Sequence, residues 1–155
     1  MDFWSIVLGS VLTLAGSVVV TILQDRSARE RWVLERDEGR LLQAATDIGR
    51  ARTMIEEFSP MERFNGEADA ATHNLRVDQW RDVRPDVRRI AFIRRDLADD
   101  IDNLIATVVA MLDQNNENLL RALAKQEFDP APAWASKEQA LEIVRRISEK
   151  LATTD

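Results

Sequence analysis

From Phe3 to Leu23 the chain reads FWSIVLGSVLTLAGSVVVTIL, a run of 21 residues with no charged side chain. At a rise of ~1.5 Å per residue, a helix of this length reaches ~32 Å, close to the thickness of a hydrocarbon core. Charge returns at once on both sides, with Asp2 before the run and Gln24-Asp25-Arg26 after it. A cleaved secretory leader is a poorer fit. Such leaders open on basic residues and close on a small-x-small site, whereas this chain opens Met1-Asp2 and its run closes on Val18-Val19-Val20-Thr21-Ile22-Leu23. The pattern predicts an uncleaved transmembrane helix over 3–23 behind a two-residue external N-terminus (1–2).

The flanks set its direction. No Lys or Arg precedes Phe3, whereas Arg26, Arg29, Arg31, Arg36 and Arg40 follow the run. Basic residues mark the cytoplasmic side, so the expected topology is a single pass at the cell membrane with the C-terminal domain in the cytoplasm. Asp25, Glu30, Glu35, Asp37 and Glu38 match those five arginines, which leaves the flank weakly attracted to anionic headgroups. Within the run, Ser5, Gly9, Thr13, Ser17 and Thr21 recur every fourth residue and form one small, weakly polar stripe. Such a stripe lets helix backbones approach in lipid and hydroxyls bond across the contact, so a homo-oligomer packed through this face is expected.

Beyond Leu23 the spacing changes to that of soluble helices. Leu34, Leu41, Ile48 and Ile55 recur at seven-residue intervals, and Asp37, Ala44, Ala51 and Phe58 follow each by three. This heptad-like seam predicts a juxtamembrane helix over 24–58, packing within its own chain or between chains. Ser59-Pro60 ends it, and Asn65-Gly66 marks a turn in 59–66. Residues 67–128 read as the bundle core. A short helix covers Glu67 to Val83, and Pro85 suits the first turn of another. Ile90, Ile93, Leu97, Ile101, Leu104, Ile105, Val108 and Leu112 then share one face of a long amphipathic helix, with Asn115-Asn116 loosening it. Asp129-Pro130-Ala131-Pro132 opens a Pro-rich loop over 129–136. Ser136 with Gln139 makes a capping box for a last helix over 137–152. The fold class is all-α: a single transmembrane helix, then a small antiparallel bundle of three to four helices.

Composition narrows the function. A net charge of −6 argues against nucleic-acid binding, and the absence of cysteine excludes disulfides, thiolate metal sites and thiol nucleophiles. Arg81, Arg84, Arg88 and Arg95 form a basic stripe that suits phosphate, but lie where a bundle helix keeps its solvated face. Asp96, Asp99, Asp100 and Asp102 resemble half of a divalent-cation site without a second acidic set. His73 is the single histidine and has no set of zinc ligands around it. No cofactor is expected, and no nucleophile–base pair stands out. The chain reads as a membrane-anchored interaction or scaffold protein presenting its bundle to a cytoplasmic protein partner. The competing class is a membrane-active effector whose assembled anchors perturb the bilayer.

Overall fold

The computed structural model describes residues 35–153. Four α-helices and one 3-10 turn make up the described residues, with no strand among them. The helices are α1 (35–57), α2 (Glu67–Ile93), α3 (Ala98–Leu123) and α4 (Ala131–Ala152), with the 3-10 turn at Arg95–Leu97. The bundle is the unit from Leu41 onward; residues 35–40 belong to the preceding unit, and carry an exposed Arg40–Asp37 ion pair at 3.6 Å. No helix of the described residues is long and apolar enough to cross a membrane, and the predicted span Phe3–Leu23 lies outside them.

Neighbouring helices run antiparallel, as their cross-links show. Arg76 of α2 meets Glu57 at 2.9 Å and Asp86 meets Arg50 at 3.3 Å, so α2 descends as α1 rises. His73 faces Asn115 across α2 and α3. Asp100 reaches Arg146 and Lys150, while Gln114 reaches Ser136, which sets α4 against α3. Lys137 near the start of α4 closes the circuit on the last carbonyls of α1.

The seam of α1 turns into this bundle. Ala44, Ile48, Ala51, Ile55 and Phe58 are buried in one core with Val87, Ile90, Leu104, Val108, Ile143 and Ile147, and Leu41 is half-buried against it. Alanine at 44 and 51 keeps α1 close to its neighbours, and removing this apolar surface from water supplies the main drive for packing. Leu34 lies outside the described residues.

Three boundaries differ from those the sequence predicts. First, α2 is one helix from Glu67 through Ile93, with Pro85 inside it rather than opening a new one. Pro85 is exposed, so the Arg81 carbonyl deprived of its helical partner faces the solvent side. Second, the helix expected to run on from Ile90 breaks at Arg94. That residue takes an extended conformation (φ −126°, ψ 90°), and its N–H closes α2 on the Ile90 carbonyl at 2.8 Å. Leu97, fully buried, then plugs the end of the core, and Asn115-Asn116 lie in unbroken helix. Third, α4 begins at Ala131, so the Pro-rich stretch is its first turn rather than a loop over 129–136. The Asp129 carboxylate accepts from the Ala131 N–H at 2.9 Å, and the Ser136 hydroxyl donates instead to Gln114 Oε1 at 2.9 Å. The capping box at Ser136 does not form.

Candidate functional site

Among the concave surfaces of the bundle, two of the more voluminous bear on function. The first lies between α1 and α2, an open groove of about 470 Å³. Thr46, Gly49 and Thr53 repeat at three- and four-residue spacing along one face of α1, while Gln79, Asp82 and Val83 face them from α2. Both threonine hydroxyls are turned back on their own helix, to the Leu42 and Gly49 carbonyls at 2.9 and 3.1 Å. The wall they present is therefore largely methyl and backbone. Met54 and Val83 form an apolar floor between the flanking ion pairs Arg50–Asp86 and Arg76–Glu57. A Cβ added at Gly49 would meet no heavy atom within 4 Å. Two exposed leucines continue these faces, Leu42 one turn before Thr46 and Leu75 one turn before Gln79. Small residues over an apolar floor, with fixed charges at the rim, suit an incoming helix.

The second surface is a groove of about 450 Å³ on α2, lined by Val77, Trp80, Arg81, Arg84, Pro85 and Arg88. It contains three of the four arginines of the basic stripe. Arg81 pairs with the exposed Asp78 at 2.8 Å, whereas Arg84 and Arg88 have no carboxylate partner among the described residues. Trp80 is 4% exposed, and its indole N–H has no acceptor among the described residues.

His73 is buried rather than solvated. The Asn115 side chain accepts from the Met61 N–H at 2.9 Å through Oδ1, which leaves Nδ2 to face His73 Nδ1 at 3.2 Å. Because an amide nitrogen only donates, His73 Nδ1 is the acceptor and the ring proton sits on Nε2. Burial pushes the His73 pKa below its ordinary value, with the charge of Asp113 opposing that shift. This network ties the 58–66 connection to α3, which explains why Asn115 does not loosen the helix. It is a positioning device more than a reactive one.

The acidic group disperses. Asp96 is held by Arg94 at 2.8 Å, Asp100 by Arg146 and Lys150, and Asp99 and Asp102 point outward. Among the described residues no three His, Cys, Asp or Glu side chains gather as a metal set would. The stripe residues Ser5, Gly9, Thr13, Ser17 and Thr21 lie outside the described residues, as does Leu34, while Leu41, Ala44, Ile48, Ala51 and Ile55 belong to the core just described.

Sequence reading passed over the α1–α2 groove. Its one signal in the sequence is the three- and four-residue spacing of Thr46, Gly49 and Thr53. Asp47 was passed over too; it is 2% exposed and accepts from Gln43 Nε2 at 2.8 Å. Comparison of the chain with protein-family models, curated proteins and solved structures finds no match.

Proposed function

We propose that this chain is a single-pass membrane-anchored interaction protein, not an enzyme. It would present its helical bundle to a cytoplasmic protein partner and self-associate through residues 3–23. The anchor rests on the uncharged run Phe3–Leu23 and the arginines that follow it. Self-association rests on the Ser5, Gly9, Thr13, Ser17, Thr21 stripe.

The observation that carries the docking role is the α1–α2 groove, whose helices present Leu42 and Leu75, 72% and 53% exposed, on the same faces. An amphipathic partner helix seated there would bury those side chains together with Met54 and Val83. Because Gly49 has free space around it, Gly49→Trp fills the groove without disturbing the core. Purification of the full chain from mild detergent should recover a stoichiometric partner, and Gly49→Trp should lose it while keeping its helical spectrum. Equal recovery by both proteins would sink the groove as the docking face. For the anchor, Gly9→Leu with Ser17→Leu should weaken self-association measured in membranes; unchanged association would remove the stripe from the account.

A further inference from the structure

We propose that the Arg81–Arg84–Arg88 face of α2 binds the phosphate headgroups of anionic phospholipids. The proposal rests on the anchored reading above, since an anchor holds the bundle beside a bilayer. Its own support lies on α2.

Most arginines of the bundle are already neutralised: Arg50 by Asp86, Arg52 by Glu56, Arg76 by Glu57, Arg121 by Glu117, Arg145 by Glu142 and Glu149. Arg84 and Arg88 are not paired among the described residues, although the chain as a whole is acidic at −6. Two exposed guanidinium groups one turn apart, with Arg81 beside them, make a local cationic face on a chain that is acidic overall. Guanidinium groups match phosphate oxygens in pairs, which makes phosphate the anion this face recognises best.

The groove between them adds shape. Its remaining lining, Val77, Trp80 and Pro85, is apolar, and the Trp80 indole N–H is a buried donor without an acceptor among the described residues. A ligand with a phosphate at one end and an apolar body at the other satisfies both halves of that lining. Phe92 points to a bilayer rather than a soluble phosphate compound. It lies one turn beyond Arg88 on the same side of α2 and is 81% exposed. Aromatic rings are favoured at the membrane–water interface, so an exposed ring beside cations can enter the headgroup boundary while the arginines hold the phosphates. The flank at 24–40, with its arginines matched by carboxylates, lacks that surplus of charge.

The test uses the full chain in a neutral detergent. Short-chain phosphatidylglycerol, short-chain phosphatidylcholine and inorganic phosphate are titrated in turn. The readout is the Trp80 indole N–H resonance together with the backbone amides of 77–92. Phosphatidylglycerol should move these signals saturably while the other two ligands leave them in place. Each arginine near an anionic surface is worth about fivefold in binding, so Arg84→Gln with Arg88→Gln should weaken the titration about thirtyfold. The variant's amide spectrum elsewhere reports whether the fold is intact; neither side chain makes an ion pair that its loss would break. Equal response to phosphatidylcholine, no saturable response, or wild-type affinity in the double variant would overturn the proposal. Saturation by inorganic phosphate alone would overturn the lipid assignment. Failure of the anchor itself shows separately, as release of the chain from membranes by alkaline carbonate, which this titration does not read.

Discussion

At the scale of single residues, the bundle's most exacting contact is the triplet Met61–Asn115–His73. Asn115 spends both ends of its amide there, accepting at Oδ1 and donating at Nδ2. Truncation by Asn115→Ala leaves the buried Met61 N–H without an acceptor, and should cost about 2 kcal/mol in a urea unfolding series. His73 adds a pH term. Its pKa in the fold lies below 6.5, so the unfolded chain takes up the proton first. The stabilisation is complete above that ordinary value and is lost as pH falls from it toward the folded pKa. Unfolding midpoints at pH 7.5 and 5.5 should therefore differ less in His73→Gln than in the parent; an equal difference would remove His73 from the account. Lys125 offers an opposite case. It sits at φ 57° just past α3, with its N–H on the Ala122 carbonyl and the Gln126 N–H on the Arg121 carbonyl. That is the closure glycine makes most cheaply. Lys125→Gly should stabilise by about 0.5–1 kcal/mol, seen as a higher melting temperature.

At the scale of helices, termini are where sequence and structure part company. The core positions of α3 were legible because apolar residues from Ile101 to Leu112 hold a helical period throughout. The break at Arg94 was not, because no glycine or proline stands there. The reversal is enforced from outside, by Arg94 gripping Asp96 and the Lys150 carbonyl and by Leu97 entering the core. Asp129 was overlooked for a related reason. A Ser-x-x-Gln pattern at 136–139 looks like a helix start, yet α4 opens five residues earlier, behind Pro130, where the Asp129 carboxylate accepts from the Ala131 N–H. The end of α1 likewise depends on a residue remote in sequence. Lys137 Nζ donates to the Phe58 and Glu56 carbonyls at 2.5 and 3.0 Å and lies 5.1 Å from the Trp134 ring centre. Desolvation there lowers its pKa, with Glu56 opposing. Lys137→Met keeps the aliphatic stem and removes the donor, so it should cost about 1–2 kcal/mol by chemical denaturation. A variant as stable as the parent would show that water serves those carbonyls equally well.

At the scale of the whole molecule, the candidate sites divide along a similar line. The seam from Leu41 to Phe58 was visible as a repeat, but whether it faced its own chain depended on contacts that only the folded bundle displays. The basic stripe was visible as four arginines. What could not be read was that Arg94 would end α2 before Arg95, or that Arg84 and Arg88 would stay without carboxylates among the described residues. The α1–α2 groove needs both helices at once, so no local pattern announced it.

An even number of antiparallel helices also has a topological result. The Arg94–Lys150 contact puts the 94–97 reversal beside the end of α4, and the Arg76–Glu57 and Arg50–Asp86 pairs bring the part of α1 just after Leu41 to that same end. Spin labels at Leu42 and Thr153 should therefore report a shorter separation than labels at Leu42 and Lys125. The latter pair is set apart by roughly the 16 residues from Leu42 to Glu57, about 22 Å of helix. With its two ends adjacent, the bundle is a closed ring of helices cut at one arbitrary point. A circular permutant joined from Thr153 to Leu41 and reopened between Ala124 and Pro130 would keep every helix pairing described above. It would also move the residues that precede Leu41 to a new place in the chain order, so that their contribution and the folding of the bundle become separable in a single polypeptide.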